Sequence, residues 1–163
     1  MTCEILRDLK HLYQKANADS VSCNYFDIRR KGEWNPSLET LQRILDSVGI
    51  DFFSFFSAVE NDMDIEKCVG TSKGYRYSKR LVFKAFLSIM EEKGISKLAL
   101  ARLMEKDPSA VCRYFRDNDY RSVTMAYIED VCKALDISVS ALIARYDGLF
   151  NESKQDRSRF LYF

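Results

Sequence analysis

Two arginines three positions apart, Arg113 and Arg116, stand in the stretch KDPSAVCRYFRDN at residues 106–118. A guanidinium holds five N–H donors in a planar fork, so it can grip a carboxylate, a phosphate or the O6/N7 edge of guanine through two hydrogen bonds. The neighbouring residues decide which way the arginines point. Asp107 is a good helix N-cap, and Pro108 is preset for the first helical turn, where its missing N–H costs nothing. Val111, Tyr114 and Phe115 form the inward stripe of the helix that follows, which leaves Arg113 and Arg116 to face elsewhere. Joined to a preceding short helix by a tight turn, such a helix protrudes and fits the major groove of duplex DNA. Residues near its start then reach base edges, and its first-turn N–H groups favour a phosphate. The net charge of +1 hides this concentration: residues 73–121 hold twelve Lys or Arg against six Asp or Glu, and the remainder of the chain is acidic. A chain that gathers its cations around one capped helix is built for an anionic partner.

Other chemistry finds little footing. There is no glycine-rich phosphate loop. The single histidine, His11, and five scattered cysteines, Cys3, Cys23, Cys68, Cys112 and Cys132, include no CxxC pair, so neither a zinc site nor a Cys–His nucleophile is expected. Glu91 and Glu92 sit at a helix end and read as solvated. We expect no enzyme activity, no cofactor and no metal. Free cysteines inside apolar helical patterns behave as small hydrophobes and fit a reducing, cytoplasmic location. The N-terminal MTCEILRDLK lacks the apolar core of a signal peptide, and no segment approaches a membrane span, so no membrane partner is expected.

The elements that must position the arginines follow from periodicity. With 47% apolar residues, two prolines and six glycines, the composition is that of a helical globular protein rather than a turn-dense β-sandwich. Residues 78–93 give the clearest helix, with Val82, Phe86, Ile89 and Met90 inward and Gly94 as its stop. Ser96 caps a second helix with Leu100 and Leu103 inward. The arginine-bearing helix is third. Thr124 caps a fourth with Ile128, Val131, Cys132 and Leu135 inward, and VSALIARY makes a fifth. Set without gaps, PSLETLQRILDSVGIDFFSFF (36–56) lies over VTMAYIEDVCKALDISVSALI (123–143) at an offset of 87 residues. Leu38 then matches Met125, Leu41 Ile128, Ile44 Val131, Val48 Leu135 and Ile50 Ile137, while Phe52, Phe55 and Phe56 match Val139, Leu142 and Ile143. Gly49 suits a left-handed C-cap, and Asp136 stands there in the second copy.

The second copy resembles the Cro/lambda-repressor-type helix-turn-helix family over residues 78–147, through GISKLALARLMEKDPSAVCRYFRDN and the helix after it. Ser96-Lys97 opens the second helix, Leu100-Ala101 falls on the family's Leu-Ala pair, and Val111 on the aliphatic residue central to the third helix. The resemblance implies that Lys97, Ser109, Ala110 and Arg113 face bases or nearby phosphates, that Lys106, Arg116, Asn118 and Arg121 are placed for backbone contacts, and that residues 108–117 enter the groove. Glu105 departs from the glycine that the family prefers in the turn; a non-glycine residue at positive φ is strained, so a differently built turn is expected. The family's Glu-x-Gly end of helix three is also replaced, by Phe115-Arg116-Asp117. The first copy resembles the family at IRRKGEWNPSLETLQRILDSVGID, residues 28–51, with Arg29, Arg30 and Lys31 as its basic cluster and little room for a full first helix.

The expectation is therefore an all-α chain of two tandem lambda-repressor-like helix-turn-helix units: a degenerate one at 1–60, a linker at 61–77, a DNA-binding one at 78–147, and a charged, aromatic tail at 148–163. By the resemblance it reads double-stranded DNA as a transcriptional regulator, a repressor rather than an activator, and works as a homodimer; a tandem chain could instead present two unequal readers. Two alternatives stay open, an antitoxin-like regulator that binds DNA and also neutralises a toxin partner through the aromatic tail or the first unit, and a phage-type protein-binding inhibitor that kept the fold without DNA binding. The tail RFLYF either folds back on its own chain or inserts into a second copy. DFFSFFSA (51–58) reads as core-facing helix.

Overall fold

The structure is a computed structural model that describes residues 3–16, 35–72, 77–116 and 122–159. It is all-α, with helices α1 (Cys3–Ala16), α2 (Leu38–Val48), α3 (Phe52–Glu60), α4 (Lys79–Glu92), α5 (Lys97–Leu103), α6 (Pro108–Tyr114), α7 (Met125–Ala134) and α8 (Val139–Arg159) among the described residues. None of them is long and apolar enough to cross a membrane. Two compact units divide the chain, Met1–Tyr77 with Ser122–Ala126 and Ser78–Arg121 with Tyr127–Phe163.

In the first unit α2 packs on α1, burying Leu9 and Leu12 of α1 with Leu41, Ile44 and Leu45 of α2. Three of the four α3 phenylalanines, Phe52, Phe55 and Phe56, are buried as the pattern predicts, and Phe53 is left at the surface. Residues 61–72, expected as linker, are folded into this unit. Ile65–Cys68 form a 3-10 helix with Ile65 and Cys68 buried. The N–H groups of Gly70 and Ser72 donate to the Gly49 carbonyl at 2.8 and 3.1 Å, and the Asp51 N–H donates to Thr71 Oγ1 at 3.1 Å. Tyr77 closes the unit, its ring 4.7 Å from Phe52 and its N–H bonded to buried Gln42 Oε1 at 3.0 Å. The segment has no 3.6-residue period, yet it seals the end of α2.

In the second unit α4 and α8 form the principal pair. Tyr146 of α8 is fully buried, and its hydroxyl accepts the Ser78 N–H at 3.1 Å. Arg145 makes a two-pronged pair with Glu92, one arm at 2.7 Å, and bonds Ser88 Oγ at 3.2 Å. The helix expected to end near 147 runs on to Arg159, so most of the expected tail is helical. The aromatic run from residue 160 lies outside the described residues.

Four helix ends, those of α2, α4, α5 and α7, share one device. Gly49, Gly94, Glu105 and Asp136 all take left-handed backbone, with φ of 73°, 64°, 52° and 51°. In each case that residue's N–H bonds three residues back and the next N–H five back, which satisfies the last helical carbonyls. Glu105 therefore builds the glycine-type turn between α5 and α6 despite its side chain, contrary to the expectation of a different turn. Left-handed backbone costs an L-residue roughly 1–2 kcal/mol, and glycine's own entropy returns roughly 0.5–1 kcal/mol of that. Glu105→Gly should thus raise the thermal midpoint by about 1–3 °C in differential scanning calorimetry. An unchanged or lower midpoint would mean that the turn carries no strain.

Candidate nucleic-acid interface

The cations predicted to do chemistry lie on α5, α6 and the turn between them. Ser96 caps α5 through the Ala99 N–H at 3.1 Å, and Leu100 and Ala101 are fully buried beneath it. Leu103, expected inward, is 56% exposed, and Leu98 is 47% exposed. The turn delivers the chain to Asp107, whose Oδ1 accepts the Ala110 N–H at 3.0 Å and the Ser109 hydroxyl at 2.6 Å. Those bonds, the Ser109 hydroxyl first, hold the Asp107 carboxyl below its ordinary range. The Ala110 N–H, one of the first-turn groups expected to favour a phosphate, is thus already taken by the Asp107 carboxylate.

Within α6 only Val111 is buried. Seven residues cannot sustain a helix alone, so its seat must come from packing. The seat is aromatic. Phe83 of α4 lies edge-on to Phe115 at 4.9 Å and parallel to Tyr114 at 6.2 Å, and Tyr114 meets Tyr127 of α7 at 4.1 Å. Burial pushes the Tyr127 phenol far above its ordinary pKa, so it stays neutral beneath the helix.

Three lysines sit over the rings of this cluster. Lys79 Nζ is 5.7 Å from the Phe83 centroid and 5.4 Å from that of Tyr114, Lys97 is 5.7 Å from Phe115, and Lys106 is 5.2 Å from Tyr127. Each such contact contributes about 0.5–1 kcal/mol at an exposed site. Lys106 also pairs with Asp130 Oδ2 at 2.5 Å. Two of the expected DNA contacts, Lys97 and Lys106, are thus engaged by their own scaffold. Ser109, Ala110, Arg113 and Arg116 are exposed together on α6 and its end, and neither arginine makes an ion pair with a described residue. The helix stops at Tyr114 with Phe115 as its cap, short of the expected 108–117. Asn118 and Arg121 lie outside the described residues, as do Arg29, Arg30 and Lys31 of the first copy.

Sequence reading missed Phe83 and Lys79. A signal existed: Phe83 stands three residues before Phe86 and four after Lys79, the spacings that place side chains on one helical face. Compared with protein-family models, curated proteins and solved structures, the chain matches none of them.

The state of Asp107 can be followed at the α6 N-terminus. Its lowered pKa means that its contribution to folding is complete above the ordinary carboxylate range and is lost as pH falls through the lowered value. The Ala110 amide resonance should titrate below the ordinary aspartate pKa, and Asp107→Asn should abolish that transition while retaining a cap. A transition at or above the ordinary value would show that the cap does not form in solution.

Proposed function

We propose that residues 78–147 are a helix-turn-helix reader of double-stranded DNA and that the protein is a sequence-specific transcriptional regulator, a repressor by analogy with the family it resembles. One observation carries this: α6 buries a single side chain and turns Ser109, Ala110, Arg113 and Arg116 to solvent. A helix held at its back by an aromatic seat, with small residues at its start and an arginine one turn on, suits the major groove. Ala110 lets the helix approach closely and offers its methyl to thymine, and Arg113 can fork onto guanine O6 and N7. Arg116 supplies a phosphate contact. Lys97 and Lys106 lie over rings of the seat, and a phosphate can draw Lys106 from Asp130, since an exposed pair is held by about 1 kcal/mol or less.

A second reading draws on Leu98 and Leu103, two exposed leucines on the seven-residue α5. They favour a protein partner, either a toxin neutralised by an antitoxin-like regulator or the target of a phage-type inhibitor.

Selection from a randomised duplex pool at physiological salt separates the DNA readers, an antitoxin-like regulator among them, from an inhibitor that kept the fold without DNA binding. The DNA reader enriches a defined site, and Arg113→Ala weakens preference at one base position by about 5- to 150-fold, the equivalent of roughly 1–3 kcal/mol. Arg116→Ala lowers affinity evenly across sequences and flattens the salt dependence. If nothing enriches and residual binding disappears with modest salt, the phage-type inhibitor reading takes over.

A further inference from the structure

Ser37 and Thr124 stand 87 residues apart, the offset at which the two repeats superpose, and they face each other in an antiparallel bridge. Both sides of the bridge belong to the first unit. The Leu38 N–H donates to the Val123 carbonyl at 2.9 Å, and the Met125 N–H donates to the Pro36 carbonyl at 2.9 Å. Met125 is the counterpart of Leu38, and Val123 is the counterpart of Pro36. Each bond is therefore the other with the copies exchanged. Such reciprocity is the mark of an isologous contact, in which one surface meets a second copy of itself. Here both copies lie in one chain.

The bonds also do necessary work. Leu38 and Met125 are the first residues of α2 and α7, and a helix cannot satisfy its own first amides. Each copy supplies the carbonyl that the other needs. Leu38, Val123 and Met125 are all buried, so the pairing is part of the core.

We propose that this ladder is a homodimer contact drawn inside one chain, so that the edge is closed to a second copy and a single chain is the functional unit. Applied to DNA, this rests on the reading above and replaces the two-fold dimer of the family: one chain occupies one duplex, and its site has no need to be a palindrome. For the free protein the inference does not depend on DNA at all.

Two measurements on the full chain test it. Sedimentation equilibrium from low to high micromolar concentration should return the single-chain mass of 19.0 kDa throughout, and stoichiometric titration of a selected duplex should saturate at one chain per duplex. Hydrogen exchange should show the Leu38 and Met125 amides slow and equally slow at every concentration. A mass that climbs to twice the single-chain value, two chains per duplex on a palindrome, or protection that grows with concentration would place the pairing between chains and overturn the proposal. A monomer with concentration-independent protection that enriches no duplex would support the closed ladder while removing the DNA reading.

Discussion

Phe83 is the contact on which the candidate interface depends. Helix α6 is seven residues long with one buried side chain of its own, so neither propensity nor a private core holds it in place. Phe83 does, from α4, by meeting Phe115 edge-on and Tyr114 face-on, while Tyr127 backs Tyr114 from α7. Ring faces are electron-rich, and Lys79, Lys97 and Lys106 lie over them. The basic character of this region thus has two origins. Lys79, Lys97 and Lys106 are engaged by the aromatic seat, and Arg113 and Arg116 stand exposed beyond it. Counting cations along the chain cannot separate the two groups; only the position of the rings does.

A second constraint concerns how helices stop. Four helix ends use the same pair of hydrogen bonds through one left-handed residue, and two of the four residues, Glu105 and Asp136, are not glycine. The carbonyls at a helix end need donors whatever side chain stands there, and a compact turn with the chain leaving at a fixed angle supplies them. The repeat shows the same priority at the following cap. Asp51 accepts the Ser54 N–H at 3.2 Å, and its counterpart Ser138 accepts the Ala141 N–H at 3.0 Å. The side chains at the two positions differ, while the capped backbone N–H stands at the equivalent place in each.

Features settled within a few residues of each other were legible from sequence. The all-α class, the caps at Ser96 and Asp107, and the inward stripes of α4 and α7 follow from local spacing, as does the outward direction of Arg113 and Arg116. What escaped depends on other signals. The extension of α8 through ESKQDRSR lacks an apolar stripe, but Glu, Lys, Gln and Arg are good helix formers and carry the helix past its last core residue. The 3-10 helix at Ile65–Cys68 has no 3.6-residue period to detect. Lys97 and Lys106 read as free cations because their rings lie on, or stem from, distant parts of the chain.

The repeat was visible, but its self-pairing was not, and the chemistry of residue 36 explains how the pairing tolerates an awkward sequence. Proline removes a donor and is excluded from positions where a ladder needs one. This ladder takes a carbonyl from residue 36 and an N–H from residue 38, so Pro36 loses nothing by lacking its own N–H. Its counterpart Val123 likewise contributes only its carbonyl. The demand falls on the backbone, which leaves side chains at the edge free to diverge, and they have: Asn35 Oδ1 accepts the Ala126 N–H at 3.0 Å, while Ser122 stands at the equivalent place in the other copy. The two halves of the contact thus share a backbone pattern and differ in what the side chains add.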